Sequence, residues 1–262
     1  MLPRLNKRFC PFRAISALQK VGYIKKAEAE KEVSINEAFR QLKVRKNREA
    51  MAIFEKVLLK QPGNLEALWG RAEVKRRMRQ YSDAESILNA ILKKNPQHHS
   101  ALISLAYIKY KEDKLNEAQQ LVNKVLEKDC PDRENEALAY LMLGTINSRR
   151  CAKSWFLAKI KYCTQMKFYF LKARALAPDL PEVRLGLGTF YLLAPAIAGG
   201  NLNQAQEELS LAVKMAPDFA TANARLAQAY KKKGDLEKCN FYFQRARELD
   251  PENEALKELK GE

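Results

Sequence analysis

The chain carries little of the equipment for chemistry. Only two histidines occur among its 262 residues, His98 and His99, side by side. Adjacent side chains on a helix do not face one site, and no Asp, Cys or third His is placed to join them. The pair is therefore expected in a solvated turn, not in a metal or catalytic centre. No nucleophile is set beside a base, and no glycine-rich phosphate loop is present. The expectation is a protein that is not an enzyme and takes no cofactor and no metal. Cysteine is scarce as well. The five, Cys10, Cys130, Cys151, Cys163 and Cys239, form no C-x-x-C pair. An odd count with that spacing argues against a disulfide framework or a zinc site, and for free or buried thiols in a reducing compartment. There is no apolar run of 18 or more residues, as a transmembrane helix needs, and no apolar core of a secretory signal near the start. The expected location is cytoplasmic, at most peripheral at a membrane. Glycine and proline number only 10 each and are expected at turns, leaving no long flexible linker.

What the chain does have is a period. Pro62 and Pro96 are 34 residues apart, as are Pro217 and Pro251. Ala50, Ala84 and Ala118 follow the same interval, as do Ala67 and Ala101. A fixed period of this size marks a solenoid. The stretch from Ala222 to Pro251 shows the unit. Leu226, Ala227 and Tyr230 make one apolar stripe, Gly234-Asp235 breaks the helix, Cys239, Phe243 and Ala246 make a second stripe, and Pro251 ends it. Isolated helices under about 12–15 residues are marginal in water, so the unit must stack on copies of itself.

The pattern Leu226-Ala227…Tyr230…Cys239…Phe243…Ala246…Pro251 resembles the tetratricopeptide repeat family. Leu187-Gly188…Tyr191…Ala205…Leu209…Ala212…Pro217 and Leu143-Gly144…Phe170…Ala173…Pro178 resemble it too. The resemblance implies an all-α, right-handed superhelical solenoid of about six helix-turn-helix repeats. They fall near 30–63, 64–97, 98–131, 136–179, 180–218 and 219–252, followed by a short C-terminal cap. Residues 1–29 form a separate basic amphipathic segment. Departures are visible. The turn of repeat one looks one residue short, Arg71 stands where leucine is usual, and repeat three closes late at Cys130-Pro131. Repeat four holds about ten extra residues near 147–165, read as an extended or extra helical piece that runs into the second helix and projects from the array. Repeat five has a longer turn, Pro195 to Gly199-Gly200. That turn is similar to one in bacterial tetratricopeptide proteins related to the T component of TRAP transporters, and to one in eukaryotic regulators of microtubule dynamics.

The net charge of +16 is concentrated. Residues 1–27 carry seven cations and no acid, and residues 137–178 carry eight and no acid. Two acid-free tracts on a balanced scaffold point to anionic contacts at two places. Residues 1–27 read first as a disordered or packing tail, then as a membrane-surface or partner-docking segment, and last as a targeting segment or a mis-assigned start. In the second tract, Arg149, Arg150, Lys153, Lys159 and Lys161 alternate with Trp155 and Phe156. That mixture suits an acidic protein, an anionic membrane surface or single-stranded nucleic acid, and equally an ordinary core with solvated cations.

In the family that the chain resembles, the first helix of each repeat lines a concave groove for peptide segments. The resemblance puts Trp69, Glu73, Arg76, Ile103, Tyr107, Tyr110, Leu141, Leu185, Leu192 and Lys231 on that face. The Lys/Asn clamp for a chaperone tail is absent, since Trp69 and Glu73 stand there instead. The expected function is a non-catalytic scaffold binding a protein or peptide segment with acidic and apolar residues. Two alternatives stand beside it: a peripheral membrane or nucleic-acid adaptor working through 1–27 and 148–174, and a small-ligand-binding protein of a transport system. Nucleic acid is the weaker partner, because the groove positions hold no regular polar code. The sequence sets no oligomeric state.

Overall fold

A computed structural model describes residues 35–127 and 132–260. Helix α1 covers 35–43. It is followed by α2 (Asn47–Lys60), α3 (Leu65–Arg77), α4 (Tyr81–Lys94), α5 (His99–Lys111), α6 (Leu115–Leu126), α7 (Arg133–Lys153) and α8 (Phe156–Leu176). Then come α9 (Pro181–Leu193), a 3-10 turn over Ala196–Ala198, α10 (Leu202–Met215), α11 (Ala220–Lys233), α12 (Leu236–Leu249) and α13 (Glu254–Lys260). The described residues form an all-α solenoid of six helix pairs with one further helix. Residues 1–34 and 128–131 lie outside the described residues, and with them the basic N-terminal segment and the Cys130-Pro131 closure.

Local chemistry starts the helices. The side chains of Asn64, Asp132, Asn201 and Asp235 each accept a backbone N–H at an N-terminus, which satisfies donors that the helix leaves unpaired. Pro181 opens α9, where a missing N–H costs nothing. The turn inside a pair has a repeated geometry. Arg45, Arg79 and Asp113, spaced by the 34-residue period, all have positive φ (71°, 63° and 63°), as does Gly234 at 81°. The N–H after each reaches back to close the preceding helix: Lys46 to the Gln41 carbonyl, Gln80 to Lys75, Lys114 to Lys109 and Asp235 to Tyr230. This is the left-handed helix stop. The first repeat's turn is thus equivalent to the others and not short.

Packing follows from small residues facing large ones. A Cβ on Gly70 would lie 2.2 Å from Phe54 Cζ, one on Gly144 would lie 2.4 Å from Phe170, and one on Gly188 2.7 Å from Leu209. Apolar clusters run along the array without a break in register, from Phe54 and Val74 to Leu88 and Ile108, Val122 and Ile146, then Leu187, Leu209 and Leu226. From α3 onward each odd-numbered helix touches the next odd-numbered helix, while the even-numbered ones do not touch one another in this way. The odd-numbered helices are therefore the inner layer.

Three expectations are corrected. The extra residues of repeat four do run into the second helix, but they lengthen the first helix as well, so that both helices of the pair have 21 residues. The chain turns through extended backbone at Ser154 and Trp155, with neither glycine nor proline. Cys151 and Cys163 form a disulfide across this hairpin, with Cα atoms 6.0 Å apart. Antiparallel helices bring residues 12 apart in sequence together beside their turn, a pairing that cysteine spacing alone does not reveal. His98 is not solvated. It is buried, its Nδ1 accepts the Ala101 N–H at 3.3 Å, and its Nε2 lies 3.3 Å from the Glu66 carboxylate. It caps α5 in the position that Asn64 holds on α3.

Candidate functional site: the inner face and the outer basic tract

The inner helices carry opposite charges at opposite ends. Basic residues gather at the last turns of α3 and α5 and acids at the first turns of α7, α9 and α13, as the helix dipole favours. The winding of the array brings these two sets together. Lys43, at the end of α1, donates to Glu134 at the start of α7 at 2.9 Å. Arg45 donates to Glu182 at the start of α9 at 2.6 Å, and its guanidinium lies 3.7 Å from the ring centroid of Phe219, which precedes α11. Arg79 reaches Asp250 and the Glu252 carbonyl at 2.8 and 2.9 Å. Lys111 pairs with Glu254 of α13. The first three repeats are thus fastened along one edge to the last three and the final helix.

Glu73 is the hub behind this edge. It is buried and accepts from both Nε and NH2 of Arg76, from Nε of Arg77 and from the Ser104 hydroxyl. Ser104 in turn accepts the Trp69 indole N–H at 3.1 Å. Arg77 also donates to the Leu42 carbonyl at 2.6 Å and lies 3.5 Å from Glu182. Burial opposes ionisation of Glu73, but the Arg76 and Arg77 guanidiniums outweigh it and hold the carboxyl well below the usual carboxylate range. Burial, joined by the charge of Arg77, lowers Arg45 to about 9 against the pull of Glu182 and Glu73.

The residues expected on the inner face meet different fates. Tyr107 and Tyr110 are half-buried with ring centroids 6.2 Å apart. Arg76 stacks over the first at 4.1 Å and Arg149 over the second at 4.8 Å. Trp69 and Glu73 belong to the hydrogen-bonded hub. Ile103 and Leu192 do not stand free: at 8% and 3% exposure they are core residues, because the inner helices pack on each other through these positions. Leu141 and Leu185 are half-buried against the same core. Lys231 donates to the Leu259 carbonyl at 3.0 Å, fastening the last helix. Sequence reasoning missed Arg45 and Glu182, while Arg77 was expected at the basic edge of the groove. A basic residue one period before Arg79 in a turn was the available signal.

The outer basic tract is dispersed. Arg149 belongs to the inner face. Arg150 is spent on Gln119 and Asn116 at 2.6 and 2.8 Å, and Lys153 pairs with Asp113. Trp155, Lys159 and Lys161 are exposed at the hairpin; the Phe156 side chain lies outside the described residues. Among the described residues no group of three or more His, Cys, Asp or Glu could hold a metal ion. No described helix is long and apolar enough to cross a membrane.

Comparison with known proteins agrees with this fold. The tetratricopeptide repeat model matches residues 42–104, 78–134 and 196–262. No curated protein matches. Among solved structures, IFIT1 with m7Gppp-AAAA is 18% identical over 95% of this chain and 58% of its own, with a TM-score of 0.62. The APC/C hetero-tetramer Cut9-Hcn1 is 14% identical over 87% of this chain and 42% of that one, at 0.58. A tetratricopeptide repeat protein from Parabacteroides merdae is 18% identical over 87% and 82%, at 0.51. At these identities the likeness is one of fold.

Proposed function

The chain belongs to the tetratricopeptide repeat family, and from that premise we propose that it is a non-catalytic interaction scaffold taking a peptide segment of another protein along its inner face. The observation that carries this reading is the tandem of Arg–Tyr stacks, Arg76 on Tyr107 and Arg149 on Tyr110. Aromatic rings and arginines make the anchors of protein interfaces. An apolar side chain of the partner would cover the rings, and an acidic neighbour would meet the guanidinium edges. Nucleic acid fits this face less well, because Glu73 stays ionised among its arginines and Glu182 adds a second acid.

The test is a display of peptides rich in leucine, phenylalanine and acidic residues against the full chain. The double variant Tyr107→Ala, Tyr110→Ala is expected to bind the selected peptide at least about tenfold more weakly, a loss of about 1.4 kcal/mol. Its helical circular dichroism should be unchanged. Equal affinity in wild type and variant would remove the inner face as the site.

A further inference from the structure

Helix α8 differs from the other outer helices. It buries Met166, Phe170 and Ala173 in the core. Its opposite side is also largely apolar. Leu157, Ile160, Thr164, Phe168, Leu171 and Ala175 follow at three- and four-residue steps, which puts them on one helix face, and all six are exposed. At about 1.5 Å per residue the stripe is about 27 Å long. The outer helices α4, α6 and α10 show no exposed large apolar side chain, α2 shows Leu59 alone, and α12 shows Leu236 and Phe241, too few for such a stripe. Trp155 precedes the stripe and is 92% exposed. The turn after α9 adjoins it: a Cβ on Gly199 would lie 2.8 Å from Lys167 Nζ, and Ile197 in the same turn is 99% exposed.

Lys161 and Lys167 border the stripe on its two sides, by helical position. With Lys159 they find no carboxylate partner among the described residues, whereas Lys153 and Arg174 do. The surface is thus apolar along its middle, cationic at its margins and without acid from 137 to 178. A second copy of the chain would meet it with like charge. A folded protein anchors apolar side chains in recesses, whereas Trp155, Leu157 and Ile197 project outward. A lipid surface deforms around projecting side chains. It takes an apolar stripe to the acyl boundary, a tryptophan at the headgroup level and lysines against phosphate.

We infer that the outer face of α8, with Trp155 and Ile197, is a docking surface for an anionic phospholipid bilayer. The helix lies along the membrane plane and does not cross it, and the inner face stays free for its own ligand.

Flotation of the full chain with phosphatidylcholine vesicles, with and without about one third phosphatidylserine, tests this. The wild type is expected to float with the anionic vesicles only. In a Trp69→Phe background, the remaining Trp155 emission should shift to the blue on binding. The double variants Ile160→Asp, Phe168→Asp and Lys161→Glu, Lys167→Glu should each lose at least tenfold in partitioning. Ile160, Lys161 and Phe168 are exposed and Lys167 is half-buried beside Gly199, and helical circular dichroism would confirm that both variants fold. Failure of the wild type to float overturns the inference. So does undiminished flotation of both variants, which would locate membrane binding elsewhere, such as in the basic segment 1–27. Capture of an acidic amphipathic peptide at the stripe without any vesicle binding also overturns it, in favour of a protein partner.

Discussion

Arg45 and Glu182 are separated by 137 residues of chain and meet at 2.6 Å, both largely withdrawn from water. Removing one partner of a buried pair leaves an uncompensated charge, at a cost of about 3–5 kcal/mol. Arg77 remains 3.5 Å from Glu182 and softens that cost. Arg45→Ala and Glu182→Ala are each expected to destabilise the array by about 3 kcal/mol. In a double-mutant cycle read by urea unfolding, the coupling should be about 1–3 kcal/mol. Strictly additive effects would mean that the contact contributes nothing.

Glu73 makes a prediction about acid. Its folded pKa is held below its usual 4.5 by Arg76 and Arg77, against burial. A carboxyl depressed in this way contributes stability that is fully present above its unfolded pKa and is lost as pH falls through the folded one. Glu73→Gln lacks that contribution. The gap in melting temperature between wild type and variant should hold constant from about pH 7 to about pH 5 and narrow below that. A gap of the same size at about pH 3 would contradict the assignment.

Gly70 lies under the ring of Phe54, where a Cβ would sit 2.2 Å from the ring edge. Gly70→Ala is expected to cost about 1–3 kcal/mol through overpacking. A shorter side chain at the other partner, Phe54→Leu, should make the alanine less harmful than it is alone. Gly63→Ala, where nothing lies within 4 Å, serves as the control and should change stability by less than about 0.5 kcal/mol. Thermal unfolding of wild type, the two single variants, the double variant and the Gly63→Ala control measures both effects.

Arg79 and Arg45 share a left-handed backbone and differ in what their side chains do. Glycine relieves roughly 1 kcal/mol of backbone strain at either site. The Arg79–Asp250 pair is partly exposed, and such pairs contribute about 0–1 kcal/mol. Arg79→Gly should therefore be neutral to within about 0.5 kcal/mol. Arg45→Gly gives up a buried ion pair and a stacked ring, and should destabilise by about 2 kcal/mol or more even after the strain is relieved. Equal effects at the two positions would show that the backbone term dominates.

The repeat was legible because it is local. Pro62, Pro96, Pro217 and Pro251 mark helix ends directly, and the facing of Gly188 with Leu209 follows from spacing within one pair. The closure was not legible. Whether Arg45 reaches Glu182 depends on a small rotation per repeat accumulated over the array, and no local pattern states that angle. Ile103 and Leu192 were harder for a related reason. An inner helix has both an open side and a side against its neighbours, and at this pitch they differ by about one residue position. The role of His98 as a cap could have been seen, since it lies 34 residues after Asn64. The Cys151–Cys163 bridge required knowing that the chain reverses at Ser154-Trp155, where no glycine or proline announces it.

The pairing of Lys111 with Glu254 changes the way such a chain can come apart. An open stack of repeats behaves as a line, whose ends fray independently while the middle holds. Here the terminal helix α13 is tied to the third repeat, and the Arg79–Asp250 contact ties the second repeat to the boundary before α13. The two ends are no longer free boundaries. Deleting α13 should loosen repeats two and three before repeats four and five, as cutting a hoop releases tension on both sides of the cut.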